Sequence, residues 1–440
     1  MKKNKAVKKK VIKKKVIKKK VIKKKVIKKK AVAKKAAPKA KGFLVEEKRF
    51  IQAKPEAVFR TLSQAYEWRE WLCQEAKFAS RPKEKWEAKW EDGYKAWGTI
   101  LALDAPKRLV LAWSDARNPR PSRAEFILKP HPKGTELSLQ HSDFGKGPQA
   151  AKSFAGARLA WVKCLENLVS ILETGIDLRI ARRPMMGINF DFLSPEAAKE
   201  LGVKPGYLKL TELVPGLSAE KAGLRKGDVL LTVDRKEIVG WEKIGPVLGK
   251  HQAGDKIEVT YLREGKKQSL VLELSPRKME DIPWDPKAVV AKARQAYQPV
   301  WEEMEKTLSG VSEEEAAKPE APGKWSVKEV LAHLSVAERD SHQWMVWDIL
   351  GEVPGTQDNP TTAPERLKAA IAVTPGAMDL FARYKKDVEE SWNMFLALRP
   401  EVRENKARYR RMAQSLLFYA EHAKGHLKQI QRVLATIRKT

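Results

Sequence analysis

The sequence predicts a multidomain α+β protein: a disordered Lys-rich tail, a mixed α/β segment, a mostly β segment and an all-α four-helix bundle. The 440 residues, 42% of them hydrophobic, exceed what one hydrophobic core usually organises. Strand-like alternation of apolar residues occurs before residue 276, and helical apolar periodicity dominates after residue 283. We therefore predict segments at residues 1–42, 43–177, 178–278 and 283–440.

The net charge of +32 is concentrated in the first segment. Residues 1–42 contain 22 lysines and no acid, and Val-Ile-Lys-Lys-Lys repeats there with a period of five. This period gives neither a helix nor a strand a continuous apolar face, so the segment is predicted to be disordered. We expect it to bind polyanions, nucleic acid or anionic lipid, non-specifically, unless it is a solubilising extension without a dedicated partner. The candidate contacts are Lys13, Lys14, Lys15, Lys18, Lys19 and Lys20.

Cysteine content and hydropathy indicate the compartment. The two cysteines, Cys73 and Cys164, cannot form a disulfide framework or a Cys-x-x-Cys site. No stretch is as long and apolar as a signal peptide or a membrane-spanning helix. We therefore expect a soluble cytoplasmic protein, with nucleoid association as a further expectation from the tail.

The pattern of apolar residues in the segment 43–177 predicts a curved sheet packed on a long helix. Strand-like runs at 85–91, 98–103, 108–113, 123–128 and 135–141 follow a helical pattern at 57–72. The last helix carries one apolar stripe through Trp161, Leu165 and Leu168. Such a sheet and helix usually enclose an apolar cavity, and His141 is expected to be structural in it.

Four stretches of this segment resemble a known family: 53–59 (AKPEAVF), 105–113 (APKRLVLAW), 134–141 (GTELSLQH) and the last helix around Trp161. They are similar to the START-like SRPBCC superfamily, in the type named after the activator of the heat-shock ATPase. The resemblance implies a helix-grip fold with a cavity for a small apolar ligand. Lys83-Glu84-Lys85 replaces the family's usual Gly-Gly, which puts that sheet edge in doubt.

The third segment has five strand-like runs and one short helical stretch. Its residues 213–230 (LVPGLSAEKAGLRKGDVL) resemble the signature of the HtrA-like PDZ domain, which binds the C-termini of peptides or proteins as an added strand. Asp234-Arg235 stands where that family often has Asn-Gly. No Gly-Asp-Ser-Gly-Gly-like sequence occurs in the chain, so no serine protease is expected here. The resemblance places peptide binding at Met185, Met186, Gly187, Ile188, Trp241, Ile244 and Leu248.

The helical apolar periodicity of the last segment predicts four helical stretches, at 286–308, 326–350, 364–398 with a break near Pro375, and 408–437. Ser326 and Glu329 form a capping box that begins the second stretch and places His333 two turns into it. On the last stretch, His422 and His426 are four residues apart, so both imidazoles can point at one place. Three histidines on two helices can hold a divalent ion and leave positions for water or substrate.

Residues 325–334 (WSVKEVLAHL) and 419–430 (YAEHAKGHLKQI) resemble the two signature helices of the DinB-like superfamily. The resemblance assigns the metal ligands to His333, His422 and His426, and implies a zinc- or nickel-like ion. Some members use the metal to activate a low-molecular-weight thiol in S-transferase or isomerase reactions. Glu338 and Glu421 are candidate acceptors for the ring N–H groups, unless they are surface carboxylates without that role. His342 should lie on the opposite side of its helix.

Three functional hypotheses remain, of which the third is nucleoid association through the Lys-rich segment alone. In the first, the bundle activates a thiol or water against a small electrophile, while the PDZ groove and the tail localise the protein. In the second, the chain is a non-enzymatic adaptor in stress response or protein quality control that binds an apolar ligand and peptide C-termini. The sequence identifies no catalytic residue, substrate or oligomeric state.

Overall fold

The computed structural model describes residues 43–79, 81–351 and 361–439. The six lysines of the polyanion prediction lie outside these residues. The described part is a multidomain α+β structure with two antiparallel sheets and a helical C-terminal region, as the sequence predicts. None of the described helices is both long and apolar enough to span a bilayer.

The first unit is a seven-stranded antiparallel sheet in the order β1-β7-β6-β5-β4-β3-β2. Its core brings the sheet together with the long helix through buried side chains that include Trp86, Phe126 and Trp161. The strands are β1 (Val45–Ile51), β2 (Glu75–Phe78), β3 (Lys85–Lys89), β4 (Lys95–Asp104), β5 (Arg108–Asp115), β6 (Ser122–His131) and β7 (Gly134–Ser142). The helices are α1 (Pro55–Ser63), α2 (Ala65–Trp71) and α3 (Pro148–Thr174). The sequence analysis did not predict β1 and β2, the two edge strands.

The second unit is a small sheet in the order β13-β12-β10-β9-β8, with β11 paired to β10. The strands are β8 (Ile188–Phe192), β9 (Leu208–Leu213), β10 (Val229–Val233), β11 (Lys236–Glu237), β12 (Lys256–Arg263) and β13 (Lys266–Glu273). Four short helices accompany this part of the chain: α4 (Leu178–Ala181), α5 (Pro195–Glu200), α6 (Ser218–Lys221) and α7 (Ile244–Leu248). A 3₁₀ turn, Trp241–Lys243, precedes the last of them.

The turn between β10 and β11 has the backbone conformation of a tight hairpin turn although it contains no glycine. Asp234 and Arg235 have φ angles of 48° and 61°, and the strands pair directly on either side of them. Two consecutive positive φ angles define the turn that Asn-Gly usually occupies. The departure from the PDZ pattern therefore changes the residues of this turn but not its form.

The third unit is the helical bundle, and its main helices agree with the prediction. They are α8 (Pro286–Leu308), α9 (Glu313–Ala317), α10 (Val327–Leu350), α11 (Pro364–Val373), α12 (Ala377–Leu396), α13 (Pro400–Glu404) and α14 (Lys406–Ile437). Helices α11 and α12 are separated at Thr374–Gly376, which confirms the break near Pro375. One large core joins these helices.

The bundle packs directly on the first unit. Helix α3 ends at Gly175, whose φ is 67° and whose added Cβ would lie only 2.3 Å from the carbonyl oxygen of Lys406. Beside this close backbone approach, the buried carboxylate of Glu67 binds the Arg408 guanidinium at 2.9 Å. The first residues of α14 are thus fixed against the first unit.

Candidate metal centre

Helices α10 and α14 present the three predicted histidines on facing surfaces. The Ser326 hydroxyl accepts from the Glu329 amide, and the Glu329 carboxylate accepts from the Ser326 amide, so the predicted capping box is present. It fixes the beginning of α10 and therefore the direction in which His333 points. His422 and His426 lie one turn apart on α14, on the side that faces His333.

The three imidazoles meet at their Nε2 atoms. The Nε2 atom of His422 lies 3.4 Å from that of His333 and 3.1 Å from that of His426. Within the described residues, these three form a group whose potential ligand atoms all lie within 4.8 Å of one another. The structure therefore brings the predicted triad together, and a metal site is geometrically possible.

The Nδ1 atoms of His333 and His426 have separate partners. His333 Nδ1 lies 3.2 Å from the carbonyl oxygen of Thr361, which can accept a hydrogen bond from its N–H group. His426 Nδ1 lies 2.9 Å from Gln429 Oε1. A proton on Nδ1 leaves Nε2 with a free lone pair, so these contacts favour the tautomer that directs lone pairs at the common point.

Burial keeps the imidazoles neutral. Burial, with smaller contributions from the neighbouring His426 and His333, lowers the pKa of His422 to about 4. Burial is also the main cause that lowers the pKa of His333 and of His426. Neutral imidazole is the form that binds metal ions, so at neutral pH no proton competes for these lone pairs.

The predicted carboxylate acceptors were wrong. Glu338 is buried in the bundle and accepts from the Ser391 hydroxyl. Glu421 is exposed and pairs with Lys424 at 3.6 Å. The acceptors are instead Thr361, which is 28 residues from His333 and gives no local signal, and Gln429, whose spacing of three from His426 could have indicated it.

His342 stays outside the triad, as predicted. Its Nε2 atom lies 2.8 Å from the carbonyl oxygen of Asp387 on α12. Two aromatic residues that the ligand prediction did not include flank the site: the Trp325 ring lies 4.9 Å from that of His333, and the Tyr419 ring lies 5.7 Å from that of His422. These aromatic rings pack against the imidazoles of His333 and His422.

Several of the residues predicted to bind peptide share one hydrophobic core. Strand β8 is the edge strand. Met186 and Leu248 are buried in the same cluster that Ile188 and Ile244 pack against, and Met185 pairs with Ser275. The side chain of Trp241 lies outside the described part. The predicted groove wall and the predicted strand therefore pack on the same core.

A cavity of about 300 Å³ lies between the large sheet and α3. Trp113, Phe144 and Trp161 line it, as expected for an apolar ligand. His141 also lines it but has both ring nitrogens bonded, to Trp161 Nε1 at 2.9 Å and to Ser122 Oγ at 2.8 Å. Burial lowers its pKa to about 3, which supports the structural interpretation of this histidine.

These features define a chain of three domain types, and comparison with known families agrees. Residues 52–173 match the family described as Activator of Hsp90 ATPase homolog 1-like protein, residues 184–274 match the PDZ domain, and residues 296–430 match the DinB superfamily. The chain therefore contains an AHSA1-like domain, a PDZ domain and a DinB-like domain.

Individual relatives cover single parts of the chain. A probable periplasmic serine protease do/HhoA-like of Haemophilus influenzae is 34% identical over 110 residues, which are 24% of this chain and 23% of that protein. A probable periplasmic serine endoprotease DegP-like of Marinomonas sp. is 29% identical over 114 residues, 26% of this chain and 23% of that protein. The chain thus spans less than a quarter of the length of these relatives.

Solved structures resemble the chain in part. An X-ray structure of a Mesorhizobium loti protein has 27% identity, covers 30% of this chain and 96% of its own, and gives a TM-score of 0.28. The solution structure of the Aha1 dimer from Colwellia psychrerythraea has 17% identity, covers 30% of this chain and 96% of its own chain, and gives a TM-score of 0.27.

Proposed function

We propose that the DinB-like bundle holds a divalent metal ion through His333, His422 and His426, and activates a low-molecular-weight thiol or water against a small electrophile. The observation that carries this proposal is the convergence of three neutral imidazoles on one point. Two nitrogens bound tetrahedrally to zinc at about 2.0–2.1 Å are separated by about 3.3 Å. The Nε2 separations of 3.1 and 3.4 Å are close to that value.

Three protein ligands leave coordination positions for an exogenous group. A zinc- or nickel-like ion at this point supplies Lewis acidity, which lowers the pKa of a bound thiol or water. The chain itself orients the imidazoles through Thr361 and Gln429. The Trp325 and Tyr419 rings, which pack against His333 and His422, offer an aromatic surface to a substrate.

Metal analysis tests the proposal most directly. We expect the purified protein to bind about one zinc or nickel ion per chain, and His426→Ala to bind it at least about tenfold more weakly, because one of three ligands is lost. His342→Gln is the matched control, since it alters a histidine of the same bundle outside the triad. Equal metal affinity in the wild type and in His426→Ala would exclude the proposed metal centre.

Turnover is tested separately from binding. The metal-loaded protein is mixed with a low-molecular-weight thiol and a small aryl or epoxide electrophile, and conjugate formation is followed. We expect conjugation above the uncatalysed rate that falls when a chelator is added. Metal binding without any conjugation or hydrolysis would leave the non-enzymatic adaptor as the better hypothesis.

We also propose that the PDZ domain binds the free C-terminus of a peptide or protein along β8. The main support is the backbone at the beginning of this strand: within the described residues, the amide groups of Met186 and Gly187 donate to no acceptor, while their carbonyl groups accept from Ala219 and Val214. Free amides beside an open strand edge suit a terminal carboxylate and an added strand.

Peptide binding can be measured by fluorescence anisotropy with labelled peptides that end in an apolar residue. We expect amidation of the peptide C-terminus to weaken binding about tenfold or more, because the carboxylate loses its charge-assisted hydrogen bonds. Ile244→Asp in the groove wall should weaken it similarly. Val271→Asp is the control, because Val271 is 65% exposed on β13 at the opposite edge. Indifference to amidation would contradict the proposed groove.

The Lys-rich segment is proposed to add a non-specific polyanion contact. Its support is the density of lysine without acid in residues 1–42. Affinity for duplex DNA should fall steeply with salt and disappear when this segment is deleted.

A further inference from the structure

A cleft of about 850 Å³ lies between the AHSA1-like domain and the bundle. Its walls come from the end of α2, residues 175–183, residues 277–280, and the facing parts of α10 and α14. It is separate from the metal centre, because its lining residue Ser341 follows His333 by eight residues, about 12 Å along a helix. It also shares no lining residue with the apolar cavity of the AHSA1-like domain.

The cleft has an excess of positive charge. Seven cationic side chains and four carboxylates line it. All four carboxylates already have cationic partners: Glu70 and Asp348 bind Arg411, Asp177 binds Arg179, and Glu280 binds Lys292. These pairs leave other cations on the wall without an acidic partner.

Four lining cations have no carboxylate within 4 Å in the described parts of the chain. A fifth, Arg183, is paired with Glu91 outside the cleft. Arg277 and Lys278 are exposed, so water solvates them. Arg69 is half-buried and donates only to the carbonyl oxygen of Gln74. The four cations are Arg69, Arg277, Lys278 and Arg410.

Arg410 is the most informative of the four. Only 6% of it is exposed, its Nη2 atom donates to the carbonyl oxygen of Glu280, and its Nε atom is buried without a partner. Burial lowers its pKa despite the attraction of Glu280 and Asp281. A buried charge is costly unless an opposite charge and hydrogen bonds compensate it, and an anion in the cleft would supply both.

An apolar surface lies beside these cations. The Trp344 and Trp347 rings pack edge to face with centroids 5.3 Å apart, and Trp344 remains 39% exposed. Met345 and Met412 also line the cleft. Ligand pockets typically combine such an apolar wall with a few placed polar groups, in volumes of about 300–1,000 Å³.

We propose that this cleft binds an organic anion, in which a phosphate or carboxylate group is attached to an aromatic or other apolar body. Arg410 and Arg69 contact the anionic group, and Trp344 packs against the body. Because both domains contribute walls, the bound ligand stabilises their association.

The test compares three probes by titration calorimetry on the full chain: 1-naphthyl phosphate, 1-naphthoate and neutral 1-naphthol. We expect at least one anion to bind about tenfold or more tightly than the naphthol, as hydrogen bonds to a charged group predict. Addition of a chelator should leave this binding unchanged. Equal affinity for all three probes, or loss of binding with the chelator, would overturn the proposal.

Variants locate the site. Arg410→Met should weaken anion binding about tenfold, whereas Arg432→Met, on the same helix and 62% exposed in its ion pair with Glu320, should not change it. Gly156→Leu narrows the separate apolar cavity, whose lining includes Gly156 and where an added Cβ meets nothing within 4 Å. It should leave anion binding unaffected.

The double variant Arg277→Gln with Lys278→Gln tests the cleft even if Arg410→Met does not fold, because replacing two exposed side chains should not disturb the fold. We expect it to weaken anion binding about threefold through lost surface charge. A fall of anion affinity in Gly156→Leu would show that the anion binds in the apolar cavity and not in this cleft. Unchanged anion affinity in both the double variant and a folded Arg410→Met would also exclude this cleft as the site.

Discussion

Replacement of Arg408 by methionine is expected to lower the free energy of unfolding by about 3 kcal/mol or more, because it leaves the carboxylate of Glu67 buried without its main charge partner. Arg408 Nη2 binds Glu67 Oε1 at 2.9 Å, and the two side chains are only 10% and 1% exposed. Asn405 Nδ2 donates to the same carboxylate at 3.1 Å. Arg60 lies 3.4 Å from it and offsets part of the loss.

Urea unfolding followed by circular dichroism measures this loss. The matched control is Arg432→Met, whose pair with Glu320 is 62% and 15% exposed and should contribute less than about 1 kcal/mol. The double variant Glu67→Gln with Arg408→Met should recover most of the stability, because no unpaired charge then remains buried. If Arg408→Met is as mild as Arg432→Met, the pair does not hold the two domains together.

Glu338→Gln is expected to change how the stability of the bundle depends on pH. Burial, together with a smaller effect of the nearby Asp387 carboxylate and against the lowering effect of the Ser391 hydroxyl, raises the pKa of Glu338 to about 7. The Ser391 hydroxyl donates to Oε1, but Oε2 is buried without a partner. The other titratable groups that interact with it are the hydroxyls of Tyr297, Tyr384 and Tyr419.

The sign follows from the raised pKa. In the unfolded chain the carboxyl titrates near 4.5, and in the folded chain near 7. Its contribution to stability is therefore fully present below pH 4.5 and is lost as the pH rises through 7. This difference between the folded and unfolded pKa values corresponds to about 3 kcal/mol of unfolding free energy. Glutamine does not titrate, so the Glu338→Gln variant does not lose this stability as the pH rises.

The measurement is the unfolding free energy of both proteins at several pH values between 4.5 and 8. The stability of Glu338→Gln relative to the wild type should rise by up to about 3 kcal/mol across this range. Glu421→Gln is the control, since that side chain is 73% exposed and should give no such trend. Parallel pH profiles for Glu338→Gln and the wild type would show that Glu338 is not a buried acid with a raised pKa.

Local rules predicted most of the elements and the arrangement of the triad. Helix α8 begins and ends where the apolar periodicity does, at Pro286 and Leu308. The capping box at Ser326 gave the beginning of α10. The spacing of four between His422 and His426 places both on one face, because a helix turn is about 3.6 residues long. These relations involve neighbours in sequence, so the pattern alone reveals them.

Contacts between residues distant in sequence could not be predicted in the same way. The acceptor for His333 is a backbone carbonyl at Thr361, and any residue type provides a carbonyl. Glu67 and Arg408 are 341 residues apart, and neither has a local pattern that marks it as buried. The edge strands β1 and β2 were missed because their apolar alternation is weak: four of the seven residues of β1 are charged, and β2 has only four residues.

The sequence by itself determined the main helices of the bundle and the three histidines that meet, since periodicity, capping and spacing act over a few residues, and its resemblance to known families indicated the three domain types. Only the tertiary structure decided which groups hold those imidazoles in place, how the bundle packs on the AHSA1-like domain, and that a cationic cleft with the buried Arg410 lies between them. The physical reason is that burial and charge pairing depend on which surfaces meet. A side chain acquires its partners, its pKa and its cost of burial only when distant parts of the chain come into contact.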